Sequence, residues 1–358
     1  MAIKLNWGIL GAGNISGQFV HDLLLNNTLK ESGIEHVVVS IGSSSKAKAK
    51  VFAEENKITL ENNLGVTPVF ESYDELYANP NVNAVYIGTP HPYHKEQVEA
   101  SLKGGKHVIC EKPFTINSKE AQELFDLAKK KNLFLMEAVW TRFFPSIKLL
   151  RKYLYEDKVI GDIHRLKCDF SFKVDFETTP TTHRLRDIKL GGGAILDVGI
   201  YVITYARILL DDKVGKNHTP FEVKSLVTLD PVDGVDYNTN LLFKYNNGKQ
   251  AVLSCGFYVD GPQPFIRLEG TKGYANLSSP NPACPKQWKI TFADGSKPIE
   301  YEDKSGYNGF IYEANAMAED IAAGRIENAI LPWDETLLTM GIMDDVRKEA
   351  GLVYPQEK

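Results

Sequence analysis

Residues 5–16 read LNWGILGAGNIS, an apolar run that breaks into a glycine turn and then into a helical pattern. Gly11-Ala12-Gly13-Asn14-Ile15-Ser16 fits G-x-G-x-x-(small). The first glycine permits a tight turn and the second lets the backbone approach a pyrophosphate. The helix beyond offers free N–H groups and the positive end of its dipole to that anion. Ile15, Phe19 and Leu23 recur every four residues behind the turn, so it joins a strand to an amphipathic helix. Such a turn at the head of a βαβ pattern is expected to hold a dinucleotide through Gly11, Gly13, Asn14 and Ile15.

The same texture continues outward. Strand-like runs at 36–41, 83–88, 107–110 and 133–138 alternate with helical spacing at Val98 and Leu102, then at Ala121, Leu124, Leu127 and Ala128. Alternation of this kind demands crossover connections, hence a parallel sheet with helices on both faces. Residues 1–138 are therefore expected to be an α/β Rossmann domain. Past 139 the pattern changes. A long strand candidate covers 163–176, and a helix follows Gly191-Gly192-Gly193. Hairpin-like pairs at 235–245/250–259, 265–269/274–277 and 289–292/297–301 flank turns such as Asn246-Asn247-Gly248 and Asp294-Gly295-Ser296. Asn-Gly and Asp-Gly tolerate the positive φ that tight hairpins need. Residues 139–358 are expected to be an α+β domain with a largely antiparallel, open sheet and closing helices near 309–324 and 334–350.

A chain of 358 residues suits about two domains. Its 43% hydrophobic and 24% charged residues are those of a globular protein. A net charge of −5 and pI near 6.0 give no basic face, so no nucleic-acid partner is expected. Cys110, Cys168, Cys255 and Cys284 lie far apart with no C-x-x-C pair, which suits a reducing compartment. No signal-peptide pattern, lipidation signal or apolar run of about 18 residues is read, so the expectation is a cytoplasmic protein without a membrane partner. His91 and His94 have no third ligand nearby in TPHPYH (89–94), and no metal is expected.

An NAD enzyme usually carries an acid at the end of its second strand for the ribose hydroxyls. Residues 36–53 contain none. They carry Ser43, Ser44, Ser45, Lys46 and Lys48 instead, groups that suit a 2′-phosphate, so NADP is expected over NAD. Lys112 follows the strand at 107–110 and so points toward the crevice where ligands bind in open parallel sheets. His94 reads as a polar group at a helix start near the nicotinamide. Asp197 and Tyr201 are i and i+4 on one helix face, and Gly199 leaves room for close approach. A tyrosine with an ordinary pKa of about 10 carries protons at neutral pH only if a cation such as Lys112 favours its phenolate. A buried, purely structural Asp–Tyr pair would have the same spacing.

WGILGAGNIS (7–16), TPHPYHKEQVEASLKGGKHVICEKP (89–113) and GGGAILDVGIY (191–201), in this order, resemble the Gfo/Idh/MocA oxidoreductase family over essentially the whole chain. MEAVWTRFFP (136–145), Tyr201 where others have histidine, and DDVRKEAGLVYP (344–355) are most similar to the branch of dimeric dihydrodiol dehydrogenase and the fungal NADP-dependent D-xylose 1-dehydrogenases. The resemblance implies Lys112 and Tyr201 as a catalytic pair tuned by Asp197. It implies a substrate site lined by Trp140, Arg142, Asp197 and Tyr201, and a cofactor site that adds Thr89, Pro90, His94, Glu111 and Lys112. It further implies a cis Lys112–Pro113 bond and a homodimer formed through the open sheet face. Ser44 stands where many relatives place an arginine for the 2′-phosphate. The expected reaction is hydride transfer from C1 of an aldopyranose such as D-xylose to NADP, giving the lactone. The alternatives are a trans-1,2-dihydrodiol dehydrogenase or dicarbonyl reductase, and a non-catalytic NAD(P)-sensing regulator. A pure sensor has no need of Lys112, Asp197 and Tyr201 together.

Overall fold

In the computed structural model, which describes residues 3–358, the opening apolar run is β1 (Ile3–Leu10) and the helix behind the glycine turn is α1 (Asn14–Leu29). β2 (Ile34–Gly42), α2 (Lys46–Glu55), β3 (Val69–Glu71), α3 (Tyr73–Ala78), β4 (Ala84–Ile87), α4 (His94–Lys103), β5 (His107–Glu111), α5 (Ser118–Lys131) and β6 (Leu135–Ala138) follow. The six strands pair in parallel in the order β3-β2-β1-β4-β5-β6. β4 and β6 are buried at every position, as strands covered on both faces must be. β3 was not expected. It has only three residues and lies at the sheet edge with Val69 exposed, too short to show a period.

Beyond residue 140 come α6 (Pro145–Arg151), β7 (Ile163–Ser171), α7 (Ile200–Leu210), β8 (Phe221–Leu229), β9 (Asp236–Tyr245), β10 (Gln250–Gly256), β11 (Ile266–Gly270), β12 (Gly273–Ser278), β13 (Gln287–Phe292) and β14 (Ile299–Glu302), then α8 (Phe310–Ala322) and α9 (Trp333–Ala350). The eight strands form one sheet, β14-β13-β12-β11-β7-β10-β9-β8, antiparallel except where β7 meets β10. The hairpins turn at the expected glycines, with φ of 88° at Gly248 and 78° at Gly295. β8 went unread because its alternate residues are only half-buried at the edge, and its polar and apolar positions blur. α7 is buried throughout and covers one face of the sheet: Tyr201 meets Phe170 of β7 at 5.6 Å between ring centroids, and the Tyr245 hydroxyl donates to the Ala206 carbonyl at 3.2 Å. The stretch Ile188–Leu210 is apolar and long enough to cross a membrane, but from Gly191 to Leu210 every residue is buried inside the protein, as in a core helix.

The chain divides into two compact units, and the first takes residues up to 115, 119–140 and also 306–333. Residues 306–333 thus leave the domain expected over 139–358. α8 returns because Asp22 of α1, fully buried, collects the N–H groups that begin it: Asn308 (2.8 Å), Gly309 (2.8 Å) and Phe310 (2.9 Å). A carboxylate at a helix N-terminus satisfies orphan donors and complements the dipole. Phe310 then packs edge-on to Phe19 at 6.1 Å, and Asn315 bonds the His36 ring at 2.8 Å. Asp22→Ala is expected to cost about 2–3 kcal/mol, since hydrogen bonds to a charged group and the cap are lost together. Urea denaturation followed by tryptophan fluorescence measures this, and Asp22→Asn, which keeps one acceptor, should fall between.

Candidate active site

The cofactor half is built on the first unit. Gly11 has φ of 97°, and a Cβ there would stand 2.9 Å from Thr89 Cγ2 and 3.1 Å from the Gly88 carbonyl. A side chain is therefore excluded twice, by conformation and by space. Gly88 in turn leaves room for the buried Ser16 hydroxyl, which lets α1 approach β4. Gly13 caps α1 without a side chain, and no acid lies in its first turn. The N–H groups that begin at Asn14 and Ile15 are thus compatible with a pyrophosphate.

At the tip of β2, Ser43 is buried while Ser44 and Lys48 are exposed. Lys48 Nζ donates to Ser44 Oγ at 3.2 Å. Ser45 caps α2, and Lys46 is paired with Glu75 at 2.8 Å. An acid reaches this tip from outside the stretch the sequence reading surveyed. Glu71 of β3 lies in register with Gly42, but its carboxylate takes the Ser40 hydroxyl and the Asn79 amide. The exposed Ser44 and Lys48 side chains at the tip, a hydroxyl and an ammonium, fit a 2′-phosphate.

Thr89, half-exposed, and Pro90, exposed, follow β4, and the Thr89 hydroxyl donates to Gln97 Oε1 at 2.6 Å. Glu111 is buried and accepts the Tyr86 hydroxyl at 2.7 Å and the Lys112 N–H at 3.2 Å. Lys112 is half-buried at the carboxyl end of β5, and its bond to Pro113 is cis. Trp140 stacks on Phe310 with 4.1 Å between ring centroids. The reading of His94 is corrected. Its ring is completely buried, and both nitrogens meet main-chain carbonyls, Nδ1 that of Pro113 at 2.9 Å and Nε2 that of Thr89 at 2.8 Å. It offers no nitrogen to a ligand. Burial pushes its pKa below the usual imidazole value, the carbonyls opposing and the Lys112 charge adding.

The second unit carries Asp197 and Tyr201. Residues Ile195–Gly199 form a π-helical turn that runs into α7, with the Ile200 N–H reaching the Ile195 carbonyl. Single π turns inside helices recur at functional sites. The two side chains are thus set by a widened turn rather than by regular helix spacing. Asp197 is buried and pairs with Arg184, a half-exposed residue the sequence reading missed, at 3.0 Å. Tyr201 is 5% exposed. The close approach expected at Gly199 comes from β10, whose Cys255 Sγ would lie 3.3 Å from a Cβ there.

Against this geometry, family models match both parts of the chain. Residues 5–139 match the Gfo/Idh/MocA oxidoreductase family with an NAD-binding Rossmann fold, and residues 150–276 match the C-terminal domain of that family. The chain belongs to the Gfo/Idh/MocA oxidoreductase family. It is 32% identical to the D-xylose 1-dehydrogenase (NADP(+)) of Hypocrea jecorina, over 98% of this chain and 93% of that protein. It is 33% identical to the trans-1,2-dihydrobenzene-1,2-diol dehydrogenase of Sus scrofa, over 99% and 100%. Its fold is similar to a 3-ketoreductase from Actinomadura kijaniata solved with NADP and TDP-benzene, with TM-score 0.78, 23% identity and coverage of 96% and 97%.

Two features of this Gfo/Idh/MocA chain were illegible in its motifs. Arg142, expected at the substrate, has its guanidinium 1% exposed and 2.7 Å from Glu335. Glu335 also accepts Arg207 Nε at 3.0 Å and the Gly215 N–H at 2.7 Å. Burial alone would raise its pKa, but the two guanidiniums draw it down to about 2. Arg142 therefore serves a buried ion cluster. Asp236 caps the Asp197–Tyr201 helix, accepting the Ile195 N–H at 2.8 Å and the Thr239 hydroxyl at 2.7 Å. Burial pushes its carboxyl up to about 7, against those two bonds. The native state thus holds this proton more tightly than the unfolded chain. The resulting stability is complete below about pH 4 and is lost as pH rises through about 7. Thermal melts should show Asp236→Asn, neutral at every pH, gaining on the parent between pH 4 and pH 7. Parallel melting curves for the two proteins across that window would contradict the assignment.

Proposed function

We propose that the chain is an NADP-dependent sugar dehydrogenase that oxidises C1 of an aldopyranose such as D-xylose to the lactone. The full-length similarity to an NADP-dependent D-xylose 1-dehydrogenase carries this reading. The hydroxyl-and-ammonium tip of β2 supports the choice of cofactor. Gly11, Gly13, Asn14 and Ile15 hold the pyrophosphate, while Ser43, Ser44 and Lys48 hold the 2′-phosphate. Thr89, Pro90 and Glu111 border the site. NADP, when bound, supplies the hydride acceptor. Tyr201 takes the proton of the C1 hydroxyl as the C1 hydride departs, and the Lys112 ammonium stabilises negative charge on that oxygen. Asp197, with Arg184 at its side, fixes the tyrosine in register, and Trp140 forms an apolar wall for the sugar.

Relatives named for trans-dihydrodiol oxidation are equally similar, so the assay includes both substrate classes. NADP reduction, read by absorbance, is expected with D-xylose and is expected to be weaker with NAD. Tyr201→Phe should lower kcat by about 10²–10⁴-fold, the span of a lost general base, with NADPH affinity retained. Full turnover by Tyr201→Phe would remove the tyrosine from the mechanism. Turnover of a trans-dihydrodiol with no response to any aldose would reassign the substrate.

We also propose a cytoplasmic homodimer. The four cysteines are buried thiols without disulfides, which suits a reducing compartment. On the open face of the eight-stranded sheet Leu242 lies directly opposite Val252, and Leu226 is opposite Asn240 one pleat along. Leu226 is 77% and Leu242 54% exposed, an apolar cluster that association would cover. Light scattering is expected to give twice the chain mass, and Leu242→Arg is expected to give a monomer. A monomeric parent protein at micromolar concentration would overturn the assignment.

A further inference from the structure

His94 lies at the start of α4, beneath the two loops that leave β4 and β5. The ladder between those strands ends at the pair Ile87 and Cys110. Past that point each loop carries a candidate site residue, Thr89 on one and Lys112 on the other. The His94 ring spans them, with Nε2 2.8 Å from the Thr89 carbonyl and Nδ1 2.9 Å from the Pro113 carbonyl.

The two ends of this clamp are not equivalent. Thr89 has a second tie, its hydroxyl on Gln97 Oε1 at 2.6 Å. Its methyl also faces Gly11, where a Cβ would come within 2.9 Å. Pro113 has no N–H, so its carbonyl is the one hydrogen-bonding handle its main chain possesses. The residue before it is Lys112, whose own N–H is held by Glu111 Oε2 at 3.2 Å. Main chain on both sides of the Lys112 Cα is therefore anchored to buried side chains, Glu111 ahead of it and His94 behind. A neutral imidazole has one N–H for two carbonyls, and a proton on Nδ1 serves the end that has no substitute.

We propose that His94 is a positioning residue which, through an Nδ1–H bond to the Pro113 carbonyl, sets the place of the Lys112 ammonium in the active site. The proposal rests on the role given to Lys112 above. It departs from the sequence-based reading of this histidine as a cofactor contact, because the completely buried ring acts on the backbone alone.

Asparagine places its amide nitrogen near the Nδ1 position and glutamine places it near Nε2. His94→Asn therefore keeps a donor for the Pro113 carbonyl, whereas His94→Gln moves the donor to the Thr89 carbonyl. In the full-length protein, kcat of His94→Gln is expected to fall about 10–100-fold, the scale of a displacement of about 1 Å at a reacting group. His94→Asn should lose no more than about threefold on the same scale. The two variants should share one melting temperature and one NADPH affinity, the latter read by fluorescence titration. Equal kcat in both variants, or a kcat that follows the melting temperature, would overturn the proposal. A measurement on the unsubstituted protein stands apart from variant folding. The ¹⁵N spectrum of the His94 ring should show a protonated Nδ1, and a bare Nδ1 rejects the clamp. Lys112→Met separates the two levels of the argument. If it turns over like the parent protein, the role of Lys112 and the clamp fall together. If it is inactive while His94→Gln is fully active, only the positioning role falls.

Discussion

A carboxylate with no water around it must be given donors, and Asp22 finds them in the N–H groups of Asn308, Gly309 and Phe310. This need ties α8 to α1 across nearly three hundred residues of sequence. Three further features of the first unit rest on it. Phe310, the first residue of α8, is pinned where it can stack on Trp140 and touch Phe19. Asn315, a turn and a half later, completes the bonds of His36, whose other nitrogen accepts the Trp7 indole N–H at 3.0 Å. Trp333, at the end of the returning segment, stacks on Phe125 and donates to the Leu135 carbonyl at 2.8 Å. Removing the carboxylate would leave several buried donors unmatched at once, which costs more than the bonds themselves contribute.

The second unit solves the same problem with charge. Glu335 sits between Arg142 and Arg207, and Asp211 closes the set against Arg207 at 3.0 Å. All four side chains are at most 1% exposed. Such a cluster adds less to stability than its Coulomb attraction implies, because every ion has been taken out of water. Its effect is on specificity: removing Glu335 strands the Arg142 charge, so the turn at 140–143, α7 and α9 have one mutual arrangement that leaves no charge alone. The helix carrying Asp197 and Tyr201 starts from a different device. Gly191 and Gly193 take φ of 69° and 111°, and a Cβ at Gly193 would strike Asp236 Oδ1. The glycines let Asp236 reach the first N–H of the π turn, and the turn sets the Asp197 and Tyr201 side chains.

What could be read from residues alone was local. The glycine turn, the five longer strands of the parallel sheet, the three hairpins and the two closing helices all announce themselves within a dozen residues, by periodicity or by turn chemistry. β3 and β8 were missed because one is too short and the other too weakly patterned. The return of 306–333 to the first unit left no trace at all, since Asp22 looks like any helical aspartate until its partners are seen. The same holds at the site. Lys112, Asp197 and Tyr201 stand in quotable motifs, whereas Arg184, Asp236 and Glu335 lie in stretches with no motif and acquire meaning through partners 13 to 193 residues away. Arg142 shows the converse error, a residue inside a diagnostic motif whose charge is consumed within the core.

Motif and role part company for a physical reason. A residue that touches a ligand must end at the rim of the fold, so its side chain is constrained by the ligand and its backbone by the element that carries it. The element must then be stiff, and stiffness in this chain comes from buried polar groups that bridge segments: Asp22 to α8, Glu111 to the Lys112 amide, His94 to two loops, Asp236 to the π turn. Each bridge is expensive to leave half-made, so substitution at either end is penalised as strongly as at a ligand contact. A motif such as TPHPYH therefore carries a buried support, His94, beside the exposed Pro90 and Tyr93, and spacing alone does not sort them. Burial with both polar ends occupied by main chain does sort them. By that criterion His94 belongs to the supports, whereas Lys112, half-buried at the end of β5, does not.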